Sequence, residues 1–529
     1  MINPAKMNLW KKTGALPAVF VLVVAVSASH AENLYPLGQT LFSFDYEAAY
    51  RNCAIMQDMS LFPPTGPFSV FILPSPVPGS STAALRMLGI KTVLAGSETL
   101  SDRDIPDALR LFTVNAERFR AAHGHRGDEL PVIGGGVAYR PGRYVGVLSY
   151  FNLDRARAVD PGYTGKKYRG LAGEVESALI HYRRNKFSLT LGRSRLFWGP
   201  QRVNLLLSET AEPFDLIGAA YRTRVISFHF LFARLDGSRP DEADSLQFPG
   251  RTFDDNRYLV GHRLDVQFHR RLRVGLFETV LYGGEGRPPE LYYLNPLQFF
   301  HAAQLNENED DNTILGADFT LLPGRGSAVY GQFIVDDFQI DDKSQGDEEP
   351  NEIGFMVGVF KAGKVASLIP DIKFEYVQLT NRTYHQRDPR NRYLYRNKLI
   401  GHPLGPDADS MAVTARFWPG AQFSAEVELA YRRKGEGSIY KPWDEPWLLA
   451  AGEYDEPFPT GVVEKAGLVA IRARGYLPFT SYIRNHFFFA FQAGWGEIHN
   501  FENTGKRTEH TAWIDFSLSW LGFTDVRVD

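Results

Sequence analysis

A large antiparallel β-barrel that crosses a membrane, with a small helical domain ahead of it, is the fold this sequence predicts. Three observations lead there. Apolar and polar residues alternate over many segments of about ten residues, the length a tilted strand needs to cross a bilayer. Short turns and long polar loops take turns between those segments. The chain carries 38 Phe, 24 Tyr and 8 Trp, yet its mean hydropathy is only −0.24. A bundle of transmembrane helices would need repeated apolar runs of about 20 residues, which such an average excludes.

The alternation is clearest in four places. From Arg257 to Phe268, Tyr258, Val260, His262, Leu264, Val266 and Phe268 share a face opposite Arg263, Asp265 and Gln267. From Ala421 to Arg432, Phe423, Ala425, Val427, Leu429 and Tyr431 oppose Ser424, Glu426 and Glu428. Phe487, Phe489, Phe491 and Trp495 form a third stripe, and Ile514, Phe516, Leu518 and Trp520 a fourth. Successive strand side chains point to opposite faces, so each stripe is one side of a strand. Between Pro131 and the C-terminus there are roughly sixteen to eighteen such strands. Long polar connections include Asp236–Asp255, Gly283–Asp311, Asp341–Asn351, Asn381–Asp407 and Lys434–Gly461; His269–Arg271, Pro323–Gly326 and Pro419–Gly420 are short turns. A soluble β-sandwich would also alternate, but its interior is dry, whereas Glu426, Glu428 and Asp515 fall mid-strand on the polar face. The last strand is expected to end near Phe523, leaving Thr524–Asp529 beyond it.

The N-terminus reads as an export signal over residues 1–31. Lys6, Lys11 and Lys12 precede an apolar run from Ala15 to Ala28, and Ser29 and Ala31 supply small residues for cleavage. Residues 32–130 read as a small, mainly helical domain or plug, and 131–529 as the outer-membrane barrel. Helices are expected over Thr82–Ala95 and Ser101–Gly124, with a weaker one over Phe44–Gln57.

Composition excludes several functions. One cysteine rules out a disulfide framework and a multi-cysteine zinc site. A net charge of −3 argues against a nucleic-acid surface. No HExxH, P-loop or G-x-S-x-G pattern is present, so neither an enzyme nor a cofactor is expected. The acidic tracts Glu307–Asp311, Asp341-Asp342 and Asp347–Glu349 lack the glycine punctuation of a calcium loop and read as solvated charge.

The stretch Lys186–Asp215 holds the strongest candidate residues. Arg193 and Arg195 follow Ser188 and Thr190, which puts them on the lumen side, where they could grip acidic sugar groups or pair with Glu174, Glu176 or Asp215. Trp198, beside Gly199-Pro200, could stack on a sugar ring or pack structurally. The order of Gly192-Arg193, Trp198-Gly199-Pro200, Leu205–Ser208 and Pro213-Phe214-Asp215 resembles the Wzi family of capsule assembly proteins. Tyr293–Pro296, Gly316–Phe319, Tyr330-Gly331-Gln332 and Asp336-Asp337 continue the likeness.

That resemblance implies an outer-membrane barrel of about eighteen strands, with a periplasmic helical domain, that binds capsular or other exported polysaccharide without acting as an enzyme. It also implies outer-membrane lipid and periplasmic polysaccharide export components as neighbours. Arg193, Arg195, Trp198, Asp215, Gln332, Asp336 and Asp337 become the expected carbohydrate contacts. A porin or solute channel is the alternative, because a barrel this wide can hold an aqueous path.

Overall fold

The computed structural model describes residues 108–527, apart from 123–126, 140–143, 161, 162, 164, 238–254, 270, 325, 338–348, 364–369, 421–422, 451–453 and 481–483. Twenty strands share one sheet; two are two-residue spurs at Asp128–Glu129 and Lys167–Tyr168, and the other eighteen form the wall. They are β1 (Ala108–Ala122), β2 (Val132–Tyr139), β3 (Val145–Asp154), β4 (Leu171–Arg184), β5 (Phe187–Ser194) and β6 (Phe214–Arg222). Next come β7 (Ile226–Leu235), β8 (Asp255–His269), β9 (Leu272–Glu285), β10 (Asn312–Leu321), β11 (Ser327–Asp337) and β12 (Glu352–Ala362). The circuit ends with β13 (Asp371–Leu379), β14 (Ala408–Gly420), β15 (Phe423–Lys434), β16 (Glu464–Thr480), β17 (Arg484–His499) and β18 (Thr508–Arg527).

Every neighbouring pair is antiparallel, and β18 returns to β1 from Ala108↔Arg527 to Ala122↔Trp513. The ring therefore has no open edge, so the wall's backbone groups bond within the wall. No helix among the described residues is long and apolar enough to cross a membrane; the strands do so. Connections alternate, as expected, between tight turns at one end and long loops at the other.

The lipid face is read from exposure. Leu191, Ile217, Leu276, Phe333, Val359, Leu429, Ile471 and Phe516 all point outward and are exposed. The alternate positions turn inward and form charged networks. Arg263 donates to Asp265 (3.0 and 2.6 Å) and to Asp318 (2.6 and 2.9 Å), and all three side chains are fully buried. A Cβ at Gly275 would sit 2.2 Å from the Arg263 guanidinium, so this bare backbone position leaves the network its room. Glu426 is paired similarly, with Arg416 on β14 and Arg472 on β16.

Two expectations need correction. The helix expected over Ser101–Gly124 is β1 over Ala108–Ala122, so the barrel begins at or before Ala108 and not at 131. Leu111 and Phe119 face outward, while Arg118 and Arg120 turn inward to Asp154 and Asp515. The apolar positions fit a helix only loosely, and the ladder to β18, almost 400 residues away, decides for strand. The last strand also runs on past Phe523 to Arg527, because β1 offers partners that far. The expected helices over Phe44–Gln57 and Thr82–Ala95 lie outside the described residues.

Candidate functional site

Two long loops fold into the barrel. One joins β5 to β6 (residues 195–213), the other β13 to β14 (380–407). Leu196, Trp198 and Leu205–Leu207 of the first meet Tyr384, Tyr393, Tyr395 and Ile400 of the second. Both pack on inward residues of the wall, among them Leu259, Leu281, Ile334 and Leu379, in one buried core. The sequence supports this locally. Leu205-Leu206-Leu207 is apolar at consecutive positions, which suits a segment enclosed on all sides better than a strand with one wet face.

Polar latches fix the loops to each other and to the wall. The Gln332 side chain on β11 donates to the Trp198 carbonyl (3.0 Å) and accepts from the Leu205 amide (2.6 Å). The Tyr384 amide donates to Asp336, and the Tyr384 hydroxyl donates to the Leu205 carbonyl. The Ser208 amide donates to the Ile400 carbonyl at 3.0 Å. Phe214 stacks on Tyr395 with ring centroids 5.1 Å apart. Arg382 and Tyr384 hold φ of +67° and +76°, a left-handed conformation that costs a bulky residue on the order of 1–2 kcal/mol. The bonds of Arg382 to Glu456 and of Tyr384 to Asp336 hold them there.

A buried carboxylate ties three loops together. Glu212 accepts from Arg157 (2.6 Å), which lies on the short helix Arg155–Val159 between β3 and β4, and pairs with Lys398 (2.7 Å). Burial alone would raise the Glu212 pKa, but the hydrogen bonds and charge of Arg157, with Lys398 and Arg195, hold it far below the ordinary carboxylate range.

The seven expected site residues are placed as follows. Trp198 is 3% exposed and lies in the core, its indole against the Gly261 backbone. Gln332 and Asp336 are the latches just described. Arg195 is on the lumen side, bonded to Glu176 (2.7 Å) and to the Ala211 carbonyl. Arg193, expected in the lumen, is instead on the outer wall: it shares its face with exposed Leu189 and Leu191, and its partner Asp215 shares one with exposed Ile217. Counting in twos from Thr190 gives the outward parity. The pair sits at the loop end of its strands, where a charge reaches the head-group region. Asp337 is exposed at the end of β11.

A second cluster, not found by sequence reasoning, joins loop 380–407 to the loop between β15 and β16. Arg382 packs over Trp447 (4.7 Å to the ring centre) and Trp443 (5.9 Å), and donates to Glu456 at 2.9 Å. Burial would lower the Arg382 pKa; Glu456 more than offsets it and keeps the guanidinium charged. His385 lies 5.4 Å from Trp443. Asp444, Arg387 and Tyr440 beside them are exposed. Trp443 and Trp447, four residues apart in a polar loop, were the available signal. Among the described residues no group of His, Cys, Asp or Glu is arranged to hold a metal ion.

A closed eighteen-strand barrel, apolar outside and charged inside, with loops packed into one end, defines an outer-membrane β-barrel protein. The family model for capsule assembly protein Wzi matches residues 118–491. The chain belongs to that family. Among solved structures it is similar to the Escherichia coli outer-membrane protein Wzi, described as involved in group 1 capsule assembly and as a carbohydrate-binding β-barrel. Identity there is 13% and the TM-score 0.57, over 90% of this chain and 97% of that one. Pseudomonas aeruginosa OccD3 (10% identity, TM-score 0.43, 80% of this chain and 92% of that one) is also similar. So is Acinetobacter baumannii OccAB1 (8%, 0.44, 79% and 96%). No curated protein sequence matches the chain.

Proposed function

We propose that this protein binds capsular or another exported polysaccharide at the loop end of its barrel and holds it at the cell surface. The observation that supports this most is the internal core made by loops 195–213 and 380–407. Where side chains of the wall and the two loops fill the lumen as one buried core, a bulky polymer has no path between them, which favours contact at the outer surface. The proposed contact surface is the cluster around Trp443, with Tyr440, Arg387 and Asp444. Aromatic faces pack on the C–H faces of sugar rings, and arginine pairs with uronate carboxylates. Individually weak contacts add up along a repeating polymer.

In this reading Arg195, Trp198, Gln332 and Asp336 position the loops, while Arg193, Asp215 and Asp337 are rim contacts. Catalysis plays no part. β1 begins at the short-turn end, the side on which periplasmic export components would meet the protein. The test is a deletion strain: polysaccharide is expected to leave the cell for the medium. If all of it stays cell-bound and only solute uptake falls, the channel reading replaces this one.

A further inference from the structure

Among the described residues, the loop between β9 and β10 takes the opposite side of the wall from loops 195–213 and 380–407. It folds down the outside of the barrel. On β8 and β9 the inward residues are known from their contacts: Leu259, Arg263, Phe277 and Leu281 all join the interior. Their neighbours Tyr258, Val260, His262, Glu278, Val280 and Tyr282 therefore face outward, where lipid is expected. Yet Tyr258, Val260, Val280 and Tyr282 are buried, under Tyr293, Phe300 and Ala303 of residues 286–311. The strap holds two short helices, Leu291–Leu294 and Phe300–Glu307.

Its docking depth is fixed by hydrogen bonds. Glu278 is an outward carboxylate halfway along β9 and only 2% exposed. It accepts the amides of Phe300 (2.9 Å) and His301 (2.8 Å), at the start of the second helix, and lies 3.2 Å from His262. Four residues on, Gln304 accepts from Thr313 (2.7 Å), which pairs with Val280. The helix thus climbs from the level of Glu278 toward the loop end. From Leu272 to Glu278 is on the order of 15 Å of barrel height at the usual strand rise and tilt, inside an apolar band about 25 Å tall.

The strap's most exposed large side chains are apolar, with the exposed Asn295 and His301 beside them. Leu291 and Leu297 are each 83% exposed, Leu305 68% and Phe299 50%. Phe299 directly precedes the amide bound by Glu278, so it sits near the level of that carboxylate. The acidic residues Glu307, Glu309 and Asp310 all lie at the upper end of the helix. The exposed belt continues below on Leu276. We propose that this strap is embedded in the outer leaflet: Leu291, Leu297, Phe299 and Leu305 replace the covered wall as the surface that meets lipid acyl chains. Three features carry the choice of occupant: continuity with the barrel's lipid belt, depth within it, and the separation of apolar from acidic residues along the helix.

The experiment uses the full chain with Cys53→Ser and single substitutions Leu297→Cys, Phe299→Cys, Leu276→Cys or Tyr440→Cys, each carrying a fluorophore. The variants are placed in phosphatidylethanolamine–phosphatidylglycerol vesicles containing acyl-chain nitroxide lipid. All four side chains are exposed, and retained heat-modifiable migration on gels shows that each variant is folded. The label at Leu297 and Phe299 should lose as much emission as at Leu276, while Tyr440 loses none and is quenched instead by aqueous iodide. Iodide quenching at Leu297 and Phe299 without nitroxide quenching overturns the proposal. So does an efficient Leu297–Leu297 crosslink between copies, which would make the strap a dimer contact.

Discussion

Gln332 holds Trp198 by its main chain: the amide nitrogen of the glutamine donates to the tryptophan carbonyl at 3.0 Å, and its oxygen accepts the Leu205 amide at 2.6 Å. One wall side chain therefore satisfies two backbone groups of a loop whose own pairing there is a single bridge, Trp198 to Leu207. Replacing Gln332 with Leu leaves both groups buried and unbonded, at about 1–3 kcal/mol each. The expected outcome is a lower thermal midpoint and new conductance steps in a planar bilayer as the loop leaves the lumen. Wild-type conductance from Gln332→Leu would show that the loop is held without this latch.

Arg263 sits between Asp265 and Asp318 with no exposure to solvent. Arg263→Met removes the cation and leaves two buried carboxylates without their main partner. Breaking a buried pair costs about 3–5 kcal/mol. Urea unfolding in detergent should shift to lower concentration, and Asp318→Asn on the Arg263→Met background should recover part of the loss.

Glu212 supplies the charge that Arg157 and Lys398 share. Glu212→Gln should loosen three loops together, again by about 3–5 kcal/mol if the cations stay buried. Limited proteolysis checks it, with new cleavage in residues 195–213 and 380–407 and none in the strands.

His402 gives the loop core a pH dependence. Burial lowers its pKa to about 4, against the opposing charge of Glu375. Its Nδ1 accepts the Leu404 amide at 3.2 Å, which requires that nitrogen to be unprotonated. The unfolded chain takes up the proton first, so this group's share of stability is full above about pH 6.5 and is lost as pH falls toward 4. His402→Gln should flatten that part of the stability–pH curve.

Trp443 offers the aromatic face in the proposed sugar surface. Trp443→Ala should weaken polysaccharide binding by purified protein up to about tenfold, some 1.4 kcal/mol, and binding is measured well below the thermal midpoint, since Trp443 also packs on Arg382 and His385. An unchanged affinity would move the contact surface away from this cluster.

Alternation by itself determined most of the wall. A period of two survives any environment, because strand geometry imposes it, so the barrel class and the inward Glu426 and Asp515 were legible from the chain. Composition likewise fixed a polar average with an apolar belt. The tertiary structure decided β1, because its helix-like sequence becomes a strand between two partners, β2 beside it in the chain and β18 from the far end. It also decided where the loops go. Trp198 and Leu205 fold inward onto Gln332, and Phe300 folds outward onto Glu278; the consecutive Leu205–Leu207 signals enclosure but not the side of the wall on which it occurs. Which side a loop takes depends on the partner waiting on the wall: Glu278 is 22 residues from Phe300, on the strand that leads into its loop, whereas Gln332 is 127 residues from Leu205 and comes close only in the folded barrel.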